Sequence, residues 1–385
     1  MDLQYGKGLL ILLLFIIAEL LYTYLIRKEA IPWDELASNL NSGHLLLLIF
    51  RGATVIVYSF IFQEWGWGYF VELPEIFQWL IALVLWDFGF YWAHRLHHEI
   101  PFLWNIHHVH HQAEHFNLSL GFRHSWFHTL SSAPFMLPLA FIGIPTELFL
   151  AVAGINLFVQ FYNHNKIVRN SGWLDKIFIT PELHRVHHGC NPEYIDKNHG
   201  GTFVFWDRIF GTFKDKDPEI AIIYGTHDRI NPHNPIWVNV RPMLISLGIT
   251  TNGNKDKRKY KFPGIYIGLG TFLLLGFLIY YVAVQANWSF PMLFSLFLWV
   301  FGGTVSLGAM SDGNGIASLF WGLLSLGFGT FFLLFWEVRD IYGVLLFSLA
   351  ILHASCGIPL YLQAKKSRPV TNSIESVTGL NDSII

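Results

Sequence analysis

Seven apolar runs of membrane-spanning length restrict the folds open to this chain. They are Gly8–Ile26, His44–Phe62, Ile76–Ala93, Gly264–Val284, Trp288–Met310, Ile316–Trp336 and Ile341–Leu362. A helix needs about 20 mostly apolar residues to cross the hydrocarbon of a bilayer. Only helices and closed barrels satisfy the backbone there. An eighth stretch, Ser132–Tyr162, is interrupted by Pro134, Pro138 and Pro145 and has the length of a two-helix hairpin, since Pro breaks a helix by removing a donor and clashing. Hydrophobic residues make up 53% of the chain and charged residues only 14%, which sets it apart from soluble domains. We expect an all-α, multi-pass transmembrane helical bundle of about seven to nine spans.

Between these runs lie three short histidine clusters: His94-Arg-Leu-His97-His98, His107-His108-Val-His110-His111 and His184-Arg-Val-His187-His188. They hold more than half of the 19 histidines. Residues three or four apart share a helix face, so each cluster can turn two or three imidazoles to a common point. His97 and His108 are offset. Neutral imidazole is a ligand for iron, copper and zinc. Eight or more imidazoles in one place suggest two metal ions. Zinc hydrolysis needs only about three protein ligands, so redox chemistry at two metals fits the count better. Soluble di-iron bundles use Glu and Glu-x-x-His, and this set is nitrogen-rich instead.

The placement of Lys and Arg sets the orientation. Arg27 and Lys28 put the loop after the first run inside, and Gln63–Glu75, with no Lys or Arg, belongs outside. All three clusters then face the cytosol, as does the run Lys255–Lys259. The host would be a bacterial inner membrane or the endoplasmic reticulum. The first run has no basic region beyond Lys7 and no small-residue cleavage site, so it reads as a retained span. The chain divides into N-terminal transmembrane helices (1–75), a histidine-rich domain (76–245), C-terminal transmembrane helices (246–366) and a polar tail (367–385). A net charge of −2 leaves no basic excess for a nucleic acid. Cys190 and Cys356, the only cysteines, make neither a disulfide framework nor a thiolate metal site.

The string Trp86-Asp87-Phe-Gly-Phe-Tyr91-Trp92-Ala-His94-Arg95, the two H-x-x-H-H clusters and Trp206-Asp207-Arg208-Ile-Phe210-Gly211-Thr212-Phe213 resemble the fatty acid hydroxylase/sterol desaturase superfamily over residues 76–245. Finer strings resemble its alkylglycerol monooxygenase branch. These are His111–Ser119, Val186–Asn191, Ile195-Asp196-Lys197-Asn198-His-Gly-Gly201-Thr202, and Tyr224–His227 followed by Ile230-Asn231. The resemblance implies a non-haem di-iron monooxygenase that hydroxylates a lipid C–H bond with O2. It maps the metal ligands to His94, His98, His107, His110, His111, His184, His187 and His188, with His164 as a ninth. Fatty acid 2-hydroxylases carry a second His four residues from that position. Here the neighbours are Gln160 and Val168, leaving a coordination position for water or substrate. The resemblance also implies two Fe ions, with zinc filling the sites by availability on purification. Its reductant is tetrahydropterin or a redox partner protein, and its reaction hydroxylates an ether carbon so that the hemiacetal collapses to aldehyde and glycerol.

Asp87 lies two helical turns before His94 and can accept a ring N–H, the contact that fixes an imidazole tautomer. Glu114 follows the second cluster, and Asp196 and Asp207 are candidate partners for Arg95, Arg123 and Arg185. His115, His124 and His128 form a loose further set, and His199, His227 and His233 read as loop residues. His353 reads as a packed interhelical residue. One rival reading is a sterol or fatty-acyl hydroxylase or desaturase on the same site. The other is a metal transporter or sensor, which would place ligands within spans near the bilayer midplane.

Overall fold

The computed structural model describes residues 2–41, 44–226, 232–249, 260–336 and 338–366. The tail 367–385, the run 255–259 and the residues His227, Ile230 and Asn231 lie outside the described residues. Among the described residues the structure is helical, with one isolated bridge between Phe178 and Phe203. The N-terminal helices are α1 (Asp2–Leu25), α2 (Trp33–Asn41) and α3 (His44–Trp65). The middle of the chain holds α4 (Glu75–Glu99), α5 (Pro101–His111), α6 (His128–Met136), α7 (Pro138–Ile142), α8 (Thr146–Asn163), α9 (Pro181–His187), α10 (Phe205–Ile209) and α11 (Pro235–Ser246). The C-terminal bundle is α12 (Gly264–Val284), α13 (Phe290–Ser311), α14 (Ile316–Leu334) and α15 (Ile341–Lys366).

Among the described residues, six helical segments are long and apolar enough to cross a membrane: Trp33–Trp65, α4, α12, α13, α14 and Ile341–Gln363 within α15. This is fewer than the seven to nine expected. Among the described residues the apolar part of α1 runs over Leu10–Leu25, and α6 with α7 reaches from His128 to Ile142. Both fall short of the length a bilayer requires. Pro138 starts α7 and separates it from α6, and Gly143, at φ 94°, ends it. Gly is required at that turn both for its left-handed backbone and because a Cβ would strike the Trp67 carbonyl.

Prolines also place the histidines. Ile100 is extended (φ −98°, ψ 117°) between α4 and α5, as a residue before Pro tends to be. Pro101 then opens α5, where its missing N–H costs nothing. The sharp break folds α5 back on the end of α4, so His94 and His98 face His107 and His111. Pro181 opens α9 in the same way.

The C-terminal bundle has its own core of Phe277, Trp299, Trp321, Phe332 and Phe347, all fully buried. The Trp321 indole donates to His353 Nδ1 at 3.0 Å, and His353 Nε2 donates to the Tyr266 carbonyl at 2.9 Å. His353 therefore ties α14, α15 and α12 together. Helix α11 joins this bundle to the histidine-rich part: Asn105 on α5 donates to Ser246 at 2.6 Å, and Asp312, which caps α13, accepts from the His233 and Asn234 amides.

Candidate metal centre

Nine histidines gather into two groups: His94, His98, His107, His111 and His187 in one, His110, His164, His184 and His188 in the other. Within each group the nitrogens that can ligate lie within 4.8 Å of one another. These are the nine singled out from sequence. The three clusters do not each face one point, however. On α5 the i,i+4 pair His107 and His111 serves the first group and His110 the second. On α9 the pair His184 and His188 serves the second group and His187 the first. Neighbouring positions on a helix diverge by about 100°, so each of these helices separates the groups and supplies both. His164 reaches the second group from the C-cap of α8.

Backbone carbonyls fix four of the rings. Nδ1 of His94 donates to the His199 carbonyl at 2.8 Å, His110 to Arg123 at 2.9 Å, His164 to Gln160 at 2.7 Å and His187 to Lys197 at 2.8 Å. A carbonyl only accepts, so the proton sits on Nδ1 and Nε2 is left with a lone pair. In the first group Nε2 of His107 is 3.0 Å from that of His94 and 3.1 Å from that of His111. In the second, Nε2 of His164 is 3.2 Å from those of His110 and His188 and 3.1 Å from that of His184. Two nitrogens bound at right angles to one metal at ~2.1 Å would stand ~3.0 Å apart. Nε2 of His98 and of His187 is buried without a hydrogen-bond partner. The donor set and spacing fit a metal in each group.

Burial also keeps the rings neutral. It lowers His110 to about 4. It pushes His107, His111, His164, His184, His187 and His188 well below the ordinary histidine range, and nearby imidazoles add to the effect. At neutral pH these rings are lone-pair donors, the form a metal binds.

One loop, residues 195–203, orients three ligands of the first group. Asp196 Oδ1 lies 3.2 Å from His98 Nδ1, while the Lys197 and His199 carbonyls accept from His187 and His94. Asp196 and Asn198 both take positive φ, 55° each, a conformation Asn and Asp tolerate better than other side chains. Two buried carboxylates clamp the loop. Asp207 accepts from the His199 and Gly200 amides at 2.7 and 2.8 Å and from the Thr212 hydroxyl at 2.7 Å. Asp87 accepts from the Thr202 and Phe203 amides at 2.7 and 3.1 Å and from the Trp206 indole at 3.1 Å. Asp87 makes no bond to a histidine ring, contrary to the reading from helix spacing. It acts on His94 through the loop backbone. A Cβ on Gly200 would lie 2.6 Å from the Phe203 carbonyl, and one on Gly201 2.6 Å from Asn156 and 2.9 Å from Asp87.

Other expectations are corrected. Glu114 is exposed, and among the described residues its carboxylate bonds no ring. The carboxylate that acts there is Glu35 on α2, which accepts from the amides of Glu114 and His115 at 2.9 and 2.8 Å and lies 3.2 Å from His115 Nδ1. That carboxylate raises the His115 pKa. Among the described residues, Arg95, Arg123 and Arg185 form no ion pair within 4 Å with Asp196 or Asp207, although the charge of Arg95 reaches Asp207. Arg95 binds Glu99 at 2.7 Å, and Arg185 donates to the carbonyls of Asn165, Val168 and Arg169. Arg123, fully buried, donates to the Val109 carbonyl, Ser38, Asn39 and Gln112. Burial lowers it to about 10, which leaves it cationic. Gln160 is not itself a ligand: its side-chain amide donates to the Gly201 carbonyl at 2.6 Å and its backbone carbonyl accepts from His164. His97 is satisfied by the Ala93 carbonyl and Ser131, and His108, His124 and His128 belong to neither group. His199 is a loop residue, as read from sequence, and is fully buried against the first group.

Residues 79–212 match the fatty acid hydroxylase family. The chain is 33% identical to an alkylglycerol monooxygenase of Xenopus tropicalis over 244 residues, 62% of this chain and 53% of the relative. It is 40% identical to an alkylglycerol monooxygenase of Danio rerio over 200 residues, 50% of this chain and 44% of the relative. An ornithine lipid hydroxylase, OlsE, of Rhizobium tropici is 36% identical over 143 residues, 37% and 43% of the two chains. The chain thus spans about half the length of the alkylglycerol monooxygenases it matches. No solved structure matches it. Both imidazole groups and the loop that orients them fall inside residues 79–212, the segment that matches the fatty acid hydroxylase family.

Proposed function

We propose that the nine imidazoles hold two iron ions and that the protein is an O2-dependent lipid monooxygenase acting on the ether carbon of an alkylglycerol. The observation that carries this reading is the pair of buried all-imidazole groups whose Nε2 lone pairs converge. His94, His98, His107, His111 and His187 would hold one metal and His110, His164, His184 and His188 the other. Bound iron supplies oxygen activation and the electron transfer that an unreactive C–H bond demands. The chain's own residues bind and orient. The carbonyls of His199, Arg123, Gln160 and Lys197 hold the protons on Nδ1, Asp87 and Asp207 fix the loop that carries two of those carbonyls, and burial keeps water from the rings. No side chain is required as nucleophile or general base.

The substrate assignment rests on the two alkylglycerol monooxygenase matches, and tetrahydropterin as the reductant rests on the family resemblance of the sequence strings alone. The OlsE match favours a second reading, hydroxylation of another lipid on the same site. The orientation rests on charge. Glu19 of α1 accepts from the amides of Leu118 and Lys166, and Lys166 pairs with Glu29. Arg27 and Lys28 therefore share a side with His164, and basic loops remain cytosolic. The test is aldehyde release from an alkylglycerol by iron-loaded membranes, with and without tetrahydropterin, beside a His187→Ala control. Aldehyde that depends on both pterin and His187 supports the proposal. No aldehyde from protein with bound iron moves the substrate to another lipid.

A further inference from the structure

His199 is fully buried and lies against the five-imidazole group. Its ring centroid is 4.9 Å from that of His98 and 5.7 Å from those of His94 and His187. Its backbone is fixed: the amide donates to Asp207 at 2.7 Å and the carbonyl accepts from His94 at 2.8 Å. Its ring is not. Nδ1 and Nε2 are both shielded from solvent, and neither forms a hydrogen bond with a described residue. The Asp196 carbonyl lies near the ring without the geometry of a bond. His199 also stands outside the set whose ligating nitrogens lie within 4.8 Å of one another, so it neighbours the candidate ligands without being one.

A neutral imidazole carries one N–H and one lone pair, and buried polar atoms without partners call for an explanation such as a water or ion. Carbonyls fix the tautomers of His94 and His187 on the same group. Nothing comparable fixes His199, so its ring can offer either a donor or an acceptor. A metal held by these five imidazoles would still be able to take a small ligand from outside the chain.

We infer that His199 hydrogen-bonds, through a ring nitrogen, the small non-protein ligand that completes the five-imidazole metal group. This rests on that group holding a metal, as proposed above. The role would set how tightly the group takes a water-sized or azide-sized ligand, without holding the metal itself.

The probe is azide, titrated into the cobalt-loaded full-length protein and followed by visible absorption, with metal content measured in parallel. His199→Phe keeps an aromatic ring and removes both polar atoms. It should keep the wild-type metal content and bind azide ~10-fold more weakly, about the worth of one hydrogen bond. His199→Gln restores a donor and should return azide affinity to within about threefold of wild type. Unchanged azide affinity in fully loaded His199→Phe overturns the inference. If that variant loses metal, His199→Leu is read in the same way, and loss of metal from both also overturns it, because His199 would then hold the metal. Failure of the wild type to take up metal would instead sink the metal reading itself.

Discussion

His110 and His164 face each other through Nε2 atoms 3.2 Å apart while each donates its Nδ1 proton to a backbone carbonyl. Two lone pairs directed at each other at that range cannot form a hydrogen bond. Burial disfavours the protonation that would relieve them. A cation between the rings removes the conflict, and His184 and His188 are placed to share it. The two helices that supply both groups, α5 and α9, divide their histidines in opposite senses: α5 gives its i,i+4 pair to the five-imidazole group and α9 gives its pair to the four-imidazole group.

His164→Ala should therefore empty the four-imidazole group and leave the other metal in place. We expect one equivalent of metal lost and activity reduced ~100-fold or more, since removing even an outlying contact of a ligand costs ~10–100-fold. Metal analysis of the purified variant checks the first part and the aldehyde assay the second.

Asp207→Asn should weaken the other group through the loop. An amide presents a donor where the His199 and Gly200 amides need acceptors, which loosens the carbonyl that orients His94. Chelator competition should show ~10–100-fold weaker binding at the five-imidazole group and no change at the four-imidazole group.

Gly201→Ala tests the close approach of that loop. The new Cβ would lie 2.6 Å from Asn156 and Phe90 and 2.9 Å from Asp87. Overpacking of this kind costs ~1–3 kcal/mol, read as a lower Tm in detergent. Gly154→Ala on α8, where nothing lies within 4 Å, should leave Tm unchanged or higher, because Ala is the better helix former.

Acidification should destabilise the apoprotein in a defined window. The unfolded chain protonates its histidines near 6.5, whereas the folded chain holds His110 down at about 4 and His199 at about 3. Below 6.5 the unfolded state binds more protons, so stability falls as pH falls towards 4. From pH 7 to 9 these groups are neutral in both states and contribute no slope. Thermal melts of metal-free protein across pH 4–9 check the sign. In loaded protein the same protons compete with metal, so metal release should track the fall.

Much of the centre was legible in spacing. Positions four apart on a helix must share a face, so His94 with His98, His107 with His111 and His184 with His188 were readable as pairs. The division between groups was not, because it depends on how α5 and α9 lie against each other. The acceptors were hidden for a different reason: the carbonyls of His199, Arg123, Gln160 and Lys197 carry no side-chain signal. Glu35 lies 79 residues before the Glu114 amide it accepts from, so no local pattern could pair them. His199 belongs to no spacing motif, and only its burial marks it. The apolar runs gave the membrane-spanning class, while Pro138 and the short apolar part of α1 reduced the count of spans.

The central claim is that the two imidazole groups each hold a metal, and the most direct test is the metal content of the purified protein and of two variants. The account predicts two equivalents per chain in the wild type, whichever metal fills the sites. It predicts one equivalent in His164→Ala and one in His107→Ala, drawn from different groups. A wild type with one equivalent or none, or two variants that keep both metals, would contradict it.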